Sequence, residues 1–212
     1  MKLVAIRLAR SIWLFPTYFA NPKGVNTRPA AEGLKARYGF AKSPLDGPPP
    51  RQNEGSRFED GVFQGKNGNI AINSVAIHAD GIVVDTRSST SDGDAFLEDA
   101  FSYLSKEHSF PSLADLPAKR VYASELNVAF DNPPKILDPK LASFLKEAGS
   151  ILSKETGGVA DVVGFIVGPN TTSTSPNPFR FEREIGVDFK ENRYWSYAPT
   201  TTEAHIKLLE LL

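Results

Sequence analysis

Five carboxylates between residues 85 and 99 form the densest group of potential metal ligands in the sequence: Asp85, Asp92, Asp94, Glu98 and Asp99. Carboxylates that follow a strand end and enter a helix can hold Mg²⁺ or Ca²⁺. The stretch SDGDAFLED lacks the alternating acids and turn glycine of an EF-hand loop, however, and Asp94 is expected to serve in the cap of a helix. The sequence therefore favours a structural role for this acidic cluster, and a metal-dependent enzyme that uses residues 85–99 is kept as an alternative.

Other signatures of catalysis are missing from the sequence. The three histidines, His78, His108 and His205, have no metal-ligand spacing. The serine-rich stretches TRSSTS and TTSTS contain no G-x-S-x-G, and GKNGN lacks the spacing of a phosphate-binding loop. The chain has no cysteine, which excludes disulfides, thiolate nucleophiles and cysteine-ligated metals. These observations lead us to expect a protein that is not an enzyme and that needs no cofactor.

An aromatic and basic stretch near the C-terminus, RYWSYAP, is the most suggestive surface chemistry. On a strand, Arg193, Trp195 and Tyr197 would project from one face, with Arg180 of the preceding FRFERE nearby. Such a ladder is typical of a protein–protein hot spot and also of a base-stacking platform. A third interpretation places Trp195 and Tyr197 beneath a helix with only their polar edges in water. We take the four residues as candidate partner-binding residues.

The composition is that of an ordinary globular domain. The chain has 212 residues, of which 41% are apolar and 23% charged, and its formal net charge is −1. Near-neutral charge is unusual for a protein that wraps nucleic acid. We therefore expect a single domain over residues 1–212 whose partner is another protein or a second copy of itself, with nucleic acid possible but not favoured.

The N-terminal segment differs from the rest in its charge. Residues 1–31 contain five basic side chains and no acid, and they include the apolar run SIWLFPTYFA. This combination could mimic a targeting peptide, although Arg7 and Arg10 interrupt the early apolar run. No apolar stretch reaches the roughly 18 residues of a transmembrane helix. We expect a cytoplasmic protein without a membrane segment.

The first half of the chain predicts a strand, a helix, three strands and a second helix. KLVAIRLARSIWLF has the composition of a strand, and a helix should begin after Thr27 and end at Gly39. FEDGVFQG, NIAINSVAIHA and GIVVDTRS form a meander whose turns are marked by Asn67-Gly68 and Asp80-Gly81. A second helix should start at Ser91.

The second half predicts a similar order. RVYASELNVAFD alternates as a half-buried strand does, and a helix should start at an Asp138 cap and end at Gly157. Its predicted buried face is Leu141, Phe144, Leu145, Ala148, Ile151 and Leu152. The apolar run VADVVGFIVG should be a central strand. FRFERE and RYWSYAP are further strands, a third is possible around IGVDF, and a last helix should start at Thr200.

Two strand-to-helix junctions resemble each other. Ser91-x-x-Asp94 and Thr200-x-x-Glu203 both have the spacing of a capping box. Together with the repeated element order, this predicts an α+β fold built on an antiparallel sheet with helices on one face. We predict a pseudo-duplicated β-α-β-β-β-α unit in residues 1–110 and 119–212, split near residue 115.

In element order alone, the chain resembles the duplicated saddle of the TATA-box-binding protein, which has two pseudo-symmetric halves. The resemblance covers nearly the whole length but includes no shared motif, so no residue role is carried across. The DNA-binding role of that family would imply a basic concave sheet, and the net charge of −1 argues against it. The resemblance therefore bears on the fold only.

These observations favour a non-enzymatic protein-interaction module, such as an adaptor, an accessory protein or an immunity-type subunit of a larger complex. A binding module needs only a shaped surface, whereas catalysis needs positioned acids, bases, nucleophiles or metals. A nucleic-acid-binding module that uses the aromatic sheet face is the first alternative.

Overall fold

The computed structural model describes residues 1–24, 26–47, 55–66, 68–134, 142–157, 163–168 and 176–212. Within these residues the chain forms one eight-stranded antiparallel sheet and four α-helices. The prediction of an α+β fold on an antiparallel sheet is confirmed.

The first half of the chain contains four strands and two helices. Their bounds are β1 Lys2–Leu14, α1 Arg28–Tyr38, β2 Ser56–Gly65, β3 Gly68–His78, β4 Gly81–Thr86 and α2 Thr90–His108. The second half again contains four strands and two helices. Their bounds are β5 Lys119–Ala129, α3 Ala142–Thr156, β6 Gly164–Val167, β7 Phe179–Arg183, β8 Arg193–Ala198 and α4 Thr202–Leu209.

The strand order across the sheet is β2-β3-β4-β1-β5-β8-β7-β6. The first strand of each half, β1 and β5, therefore pair with each other in the middle of the sheet, from Lys2 opposite Ala129 to Leu14 opposite Lys119. A duplication would require residues 1–110 to superpose on 119–212. That superposition, and the likeness to the TATA-box-binding saddle, stay predictions.

The predicted boundaries of α1 are nearly those observed. Gly39 ends the helix in the left-handed conformation, with a φ of 61°, where a residue without a Cβ is least strained. Thr27 is the N-cap residue, but its side chain makes no capping hydrogen bond. In the next turn, Gly68 has a φ of 120°, as expected of a glycine at a hairpin turn, whereas Asn67 lies outside the described residues.

Apolar side chains pack between the sheet and the helices in two clusters. The larger one belongs to the first half and includes Trp13, Phe40, Phe58, Phe63, Ile72, Phe96, Leu97 and Phe101. The smaller one belongs to the second half and comprises Leu126, Val128, Phe181, Tyr194 and Leu209. Aromatic rings dominate the larger cluster, and they supply much of its buried apolar area.

Three predictions for the second half are wrong. Residues 164–167 of the apolar run form β6 at the end of the strand order and not in the centre. The IGVDF stretch contributes a turn and a short 3₁₀ helix, Phe189–Glu191, instead of a strand. The predicted buried face of α3 is exposed at Phe144, Ile151 and Leu152, with Phe144 66% exposed. The predicted cap at Asp138 and the side chain of Leu141 lie outside the described residues.

The N-termini of α2 and α4 are in contact. Their capping hydroxyls are those of Ser89 and Thr201, which accept hydrogen bonds from the amides of Asp92 and Ala204. The predicted cap at Ser91 is therefore two residues too late in the sequence, and the predicted cap at Thr200 is one residue too early. Ser91 instead donates to Glu203 at 3.0 Å across the junction.

Two buried threonines bond the helix starts reciprocally. The amide of Thr90 donates to the Oγ1 of Thr202 at 3.1 Å, and the amide of Thr202 donates to the Oγ1 of Thr90 at 3.1 Å. Both residues are buried. The first amides of a helix have no partner within the helix, so each threonine satisfies one such amide of the other helix.

Replacing Thr202 with valine is expected to lower the free energy of unfolding by about 1–3 kcal/mol, because the amide of Thr90 is left buried without an acceptor. Valine keeps the shape of the side chain and removes only its hydroxyl. Thr202→Ser keeps the hydroxyl and should retain most of the stability. Urea unfolding followed by circular dichroism measures both, and equal losses for the two variants would contradict a role for the hydroxyl.

Candidate interaction face of the sheet

The helices α1, α2 and α4 pack on the same side of the sheet. Trp13 of β1 stacks on Phe101 of α2 with ring centroids 6.1 Å apart, and His205 of α4 lies between Ser124 of β5 and Ser196 of β8. Successive residues of a strand point to opposite sides. The alternate residues therefore point to the other side, here called the distal face. The distal face includes Arg57, Glu59, Ser74, Asp85, Ala5, Leu8, Arg10, Glu125, Asn127, Arg193, Trp195, Tyr197, Arg180, Glu182 and Ile166.

The half of the distal face formed by β1 to β4 carries a polar, internally paired cluster beside a row of half-buried apolar side chains, Ile12, Val83 and Ala76. Arg10 donates to both carboxylate oxygens of Asp85 at 2.7 and 2.8 Å, and Ser74 donates to the same carboxylate at 3.3 Å. The hydrogen bond with Asp85 raises the pKa of the Arg10 guanidinium. Next to them, Lys42 pairs with Glu59 at 2.7 Å. Charged side chains that are already paired with neighbours contribute little binding energy to a partner protein.

The half formed by β5 to β8 carries aromatic and apolar side chains in two cross-strand rows. The strand register places Ile166, Arg180, Tyr197, Glu125 and Leu8 in one row. It places Glu182, Trp195, Asn127 and Ala5 in the next. Trp195 and Tyr197 are half-buried, Arg180 is exposed, and Ile166 is 59% exposed. Directly opposed side chains on adjacent strands are neighbours, so this half of the distal face is a continuous surface.

The alternation of β8 places three of the four predicted site residues, Arg193, Trp195 and Tyr197, on the side of the sheet away from the core. Tyr194, Ser196 and Ala198 are buried, whereas Trp195 and Tyr197 are half-buried on the distal face. Trp195 is thus not enclosed beneath the described helices.

The structure brings Arg180 and Tyr197 together as a cross-strand pair, next to Trp195. Arg193 instead belongs to an internal network: it pairs with Glu184 at 2.9 Å, and Asn127 donates to Glu184 at 2.6 Å. Among the ion pairs of the described residues, none includes Arg180. The unpaired guanidinium available to a partner is therefore that of Arg180 and not that of Arg193.

The predicted acidic cluster is dispersed by the fold. Asp94 accepts hydrogen bonds from the indole of Trp13 and the hydroxyl of Tyr122, both at 2.8 Å, so its predicted role as a cap is wrong. Asp99 accepts from the hydroxyl of Tyr38 at 2.6 Å. Asp85 points to the distal face. Across the described part of the chain, no three histidine, aspartate or glutamate side chains come together as a metal site.

His205 is a buried group whose surroundings the sequence did not reveal. Its Nδ1 lies 2.7 Å from the Oγ of Ser124, and its Nε2 lies 2.8 Å from the Oγ of Ser196. Ser196 donates its own hydroxyl proton to the carbonyl of Arg180 at 2.8 Å, so it accepts from Nε2–H, and Ser124 donates to Nδ1. Burial lowers the pKa of His205 to about 4.

The Ser124–His205 pair has the residue types of a nucleophile and its base, but both side chains are fully buried, as is that of Ser196. A nucleophile must reach its substrate, so this cluster is structural. The strand alternation of RYWSYAP already places Ser196 on the core side, and a buried serine needs a partner. That requirement is the signal that could have pointed to His205.

No protein-family model, no curated protein and no solved structure matches this chain. Within the described residues, each helix is too short or too polar to cross a membrane.

Proposed function

We propose that this protein is a non-enzymatic protein-interaction module, an adaptor, accessory or immunity-type subunit that acts by binding another protein. The observation that supports this is the cross-strand surface of Arg180, Tyr197 and Trp195, with Ile166 at its edge. Tryptophan, tyrosine and arginine are the side chains enriched among residues that dominate binding energy.

The contrast between the two halves of the distal face supports the location of the partner site. In the half formed by β1 to β4, Arg10 and Asp85 neutralise each other. In the half formed by β5 to β8, the half-buried rings of Trp195 and Tyr197 can bury their remaining exposed area against a partner, and large aromatic side chains contribute the most area per residue.

The charges on this half support a protein partner over nucleic acid. Three basic residues, Lys119, Arg180 and Arg193, stand against three acidic ones, Glu125, Glu182 and Glu184, which gives a local balance of 3 − 3 = 0. Binding to phosphates depends on an excess of lysine and arginine. Aromatic stacking alone would leave the acidic groups facing the phosphate backbone.

We also propose a cytoplasmic location. A chain without cysteine fits a reducing compartment, where disulfides are rare. A cell-fractionation experiment with an antibody to the native protein tests this part of the proposal.

Replacing Trp195 and Arg180 together with alanine is expected to abolish capture of the partner from an extract of the producing cell. Truncation of such anchors commonly weakens binding by about 30-fold or more. The variant should melt cooperatively, because both side chains lie outside the core clusters. Quantitative affinity capture, followed by titration of the identified partner, is the measurement.

Arg57→Ala is the matched control, since Arg57 is another exposed arginine of the distal face but belongs to the half formed by β1 to β4. It should leave capture unchanged. Equal losses in both variants, or intact capture by a folded Trp195→Ala/Arg180→Ala double variant, would refute the assignment of this surface. A salt-sensitive shift of an oligonucleotide would instead favour the nucleic-acid alternative.

A further inference from the structure

A cavity of about 530 Å³ lies beside the outer edge of β2, far in the strand order from Trp195. Its walls include Arg37 and Tyr38 from the end of α1, Asp99 from α2, and Val62 and Gln64 of β2. The cavity has aromatic as well as polar walls.

The charges in the cavity cancel each other. Arg37 donates to Asp99 at 3.0 Å, and the hydroxyl of Tyr38 donates to the same carboxylate at 2.6 Å. An anionic or cationic ligand would have to compete with this pair. The cavity therefore favours a neutral ligand that forms hydrogen bonds.

The outer edge of β2 already accepts backbone from the same chain. The amide of Glu59 donates to the carbonyl of Lys42 at 3.0 Å, and the amide of Ala41 donates to the carbonyl of Asp60 at 3.3 Å. This short ladder shows that the edge can pair with an added segment, and it stops where the cavity begins.

The continuation of that edge offers unpaired backbone groups. Gly65 and Gly68 oppose each other across a two-residue hairpin loop. In an antiparallel ladder, hydrogen-bonded and non-hydrogen-bonded residue pairs alternate, and the pair next to a two-residue loop is hydrogen-bonded. Gln64 and Val62 therefore belong to non-hydrogen-bonded pairs, and their backbone N–H and C=O groups point away from β3. Within the described residues, no strand pairs with them. The Val62 side chain is 50% exposed there.

We propose that this edge and cavity form a second binding site, which takes an extended, uncharged peptide segment of another protein as an additional strand. The backbone of the segment bonds to Val62 and Gln64, and one of its side chains enters the cavity beside Tyr38. Pairing at a sheet edge gives affinity through the main chain, and the pocket gives selectivity. The site is independent of the Trp195 surface, so either can fail without the other.

Selection from a displayed library of random peptides, carried out on the full chain, tests the site. The enriched peptides should bind the wild-type protein and Val62→Thr equally, because threonine keeps the amide. They should bind Val62→Pro at least about 10-fold more weakly, because proline removes one outward N–H. This N–H does not belong to the β2–β3 ladder, so proline is compatible with the edge strand.

A measurement on the wild-type protein avoids reliance on the folding of Val62→Pro. In amide NMR spectra, an enriched peptide should shift the backbone amide resonances of Val62 and Gln64. The indole N–H resonance of Trp195 should not change. Peptides that bind Val62→Pro as tightly as wild type would overturn the proposal. The proposal would also be overturned if the selection yielded no peptide that shifts these two amide resonances.

Discussion

Trp13→Ala is expected to lower the free energy of unfolding by about 3–5 kcal/mol, a large part of the roughly 5–15 kcal/mol typical of a folded domain. The Trp13 side chain is fully buried. It stacks on Phe101, its indole N–H donates to Asp94 at 2.8 Å, and the guanidinium of Arg120 lies 4.4 Å from its ring centroid. Alanine would leave a cavity and would remove one of the hydrogen-bond donors to Asp94, which would keep its bond from Tyr122.

The second tryptophan provides the matched control for this prediction. Trp195→Ala should cost less than half as much stability, since Trp195 is half-buried on the distal face. Trp13→Phe should be intermediate, because it keeps most of the packing and loses the bond to Asp94. Urea unfolding of the three variants, followed by far-ultraviolet circular dichroism, gives the comparison. A larger loss for Trp195→Ala than for Trp13→Ala would contradict the assignment of core and surface.

The stability of the protein is expected to fall by about 3 kcal/mol between pH 6.5 and pH 4 through His205 alone. The pKa of His205 is lowered from 6.5 in the unfolded chain to about 4 in the folded protein by burial. Above pH 6.5 both states are neutral at this residue, and the full stability is present. As the pH falls below 6.5, the unfolded chain takes up a proton that the folded protein does not bind. This contribution is therefore lost progressively down to about pH 4.

His205→Gln removes the titration while keeping an amide that can reach Ser196. The variant should have a lower stability at neutral pH and a flatter decline between pH 6.5 and pH 4. Unfolding free energies measured at half-unit intervals of pH provide the test. Parallel pH profiles for the wild type and the variant would show that His205 is not the group responsible.

Local patterns in the sequence predicted much of the fold. The alternation in RYWSYAP placed Trp195 and Tyr197 on one face of a strand and Ser196 on the other, as observed in β8. The positions of α1, α2 and the three-strand meander followed from turn residues and helical periodicity. These features depend on residues close together in the sequence, which is why one sequence sufficed.

Long-range pairing decided the features that were predicted wrongly. An apolar run indicates that a segment is buried, but it does not indicate which element covers the segment or where the strand lies in the sheet. Residues 164–167 form an edge strand. Asp94 has the spacing of a cap, but Trp13 and Tyr122 from distant strands compete for its carboxylate. The burial of His205 likewise depends on two strands that lie 81 and 9 residues away in sequence.

The exchanged hydrogen bonds of Thr90 and Thr202 make the start of each helix depend on the other half of the chain. If α4 frays at its beginning, α2 loses an acceptor for its first amide, and the reverse also holds. A destabilising change in either half is therefore transmitted to the other through these two residues, as well as through the β1–β5 ladder. The two halves should consequently unfold in a single cooperative step. Cleavage of the chain between them should leave two fragments, each with an exposed threonine amide whose acceptor hydroxyl belongs to the other fragment.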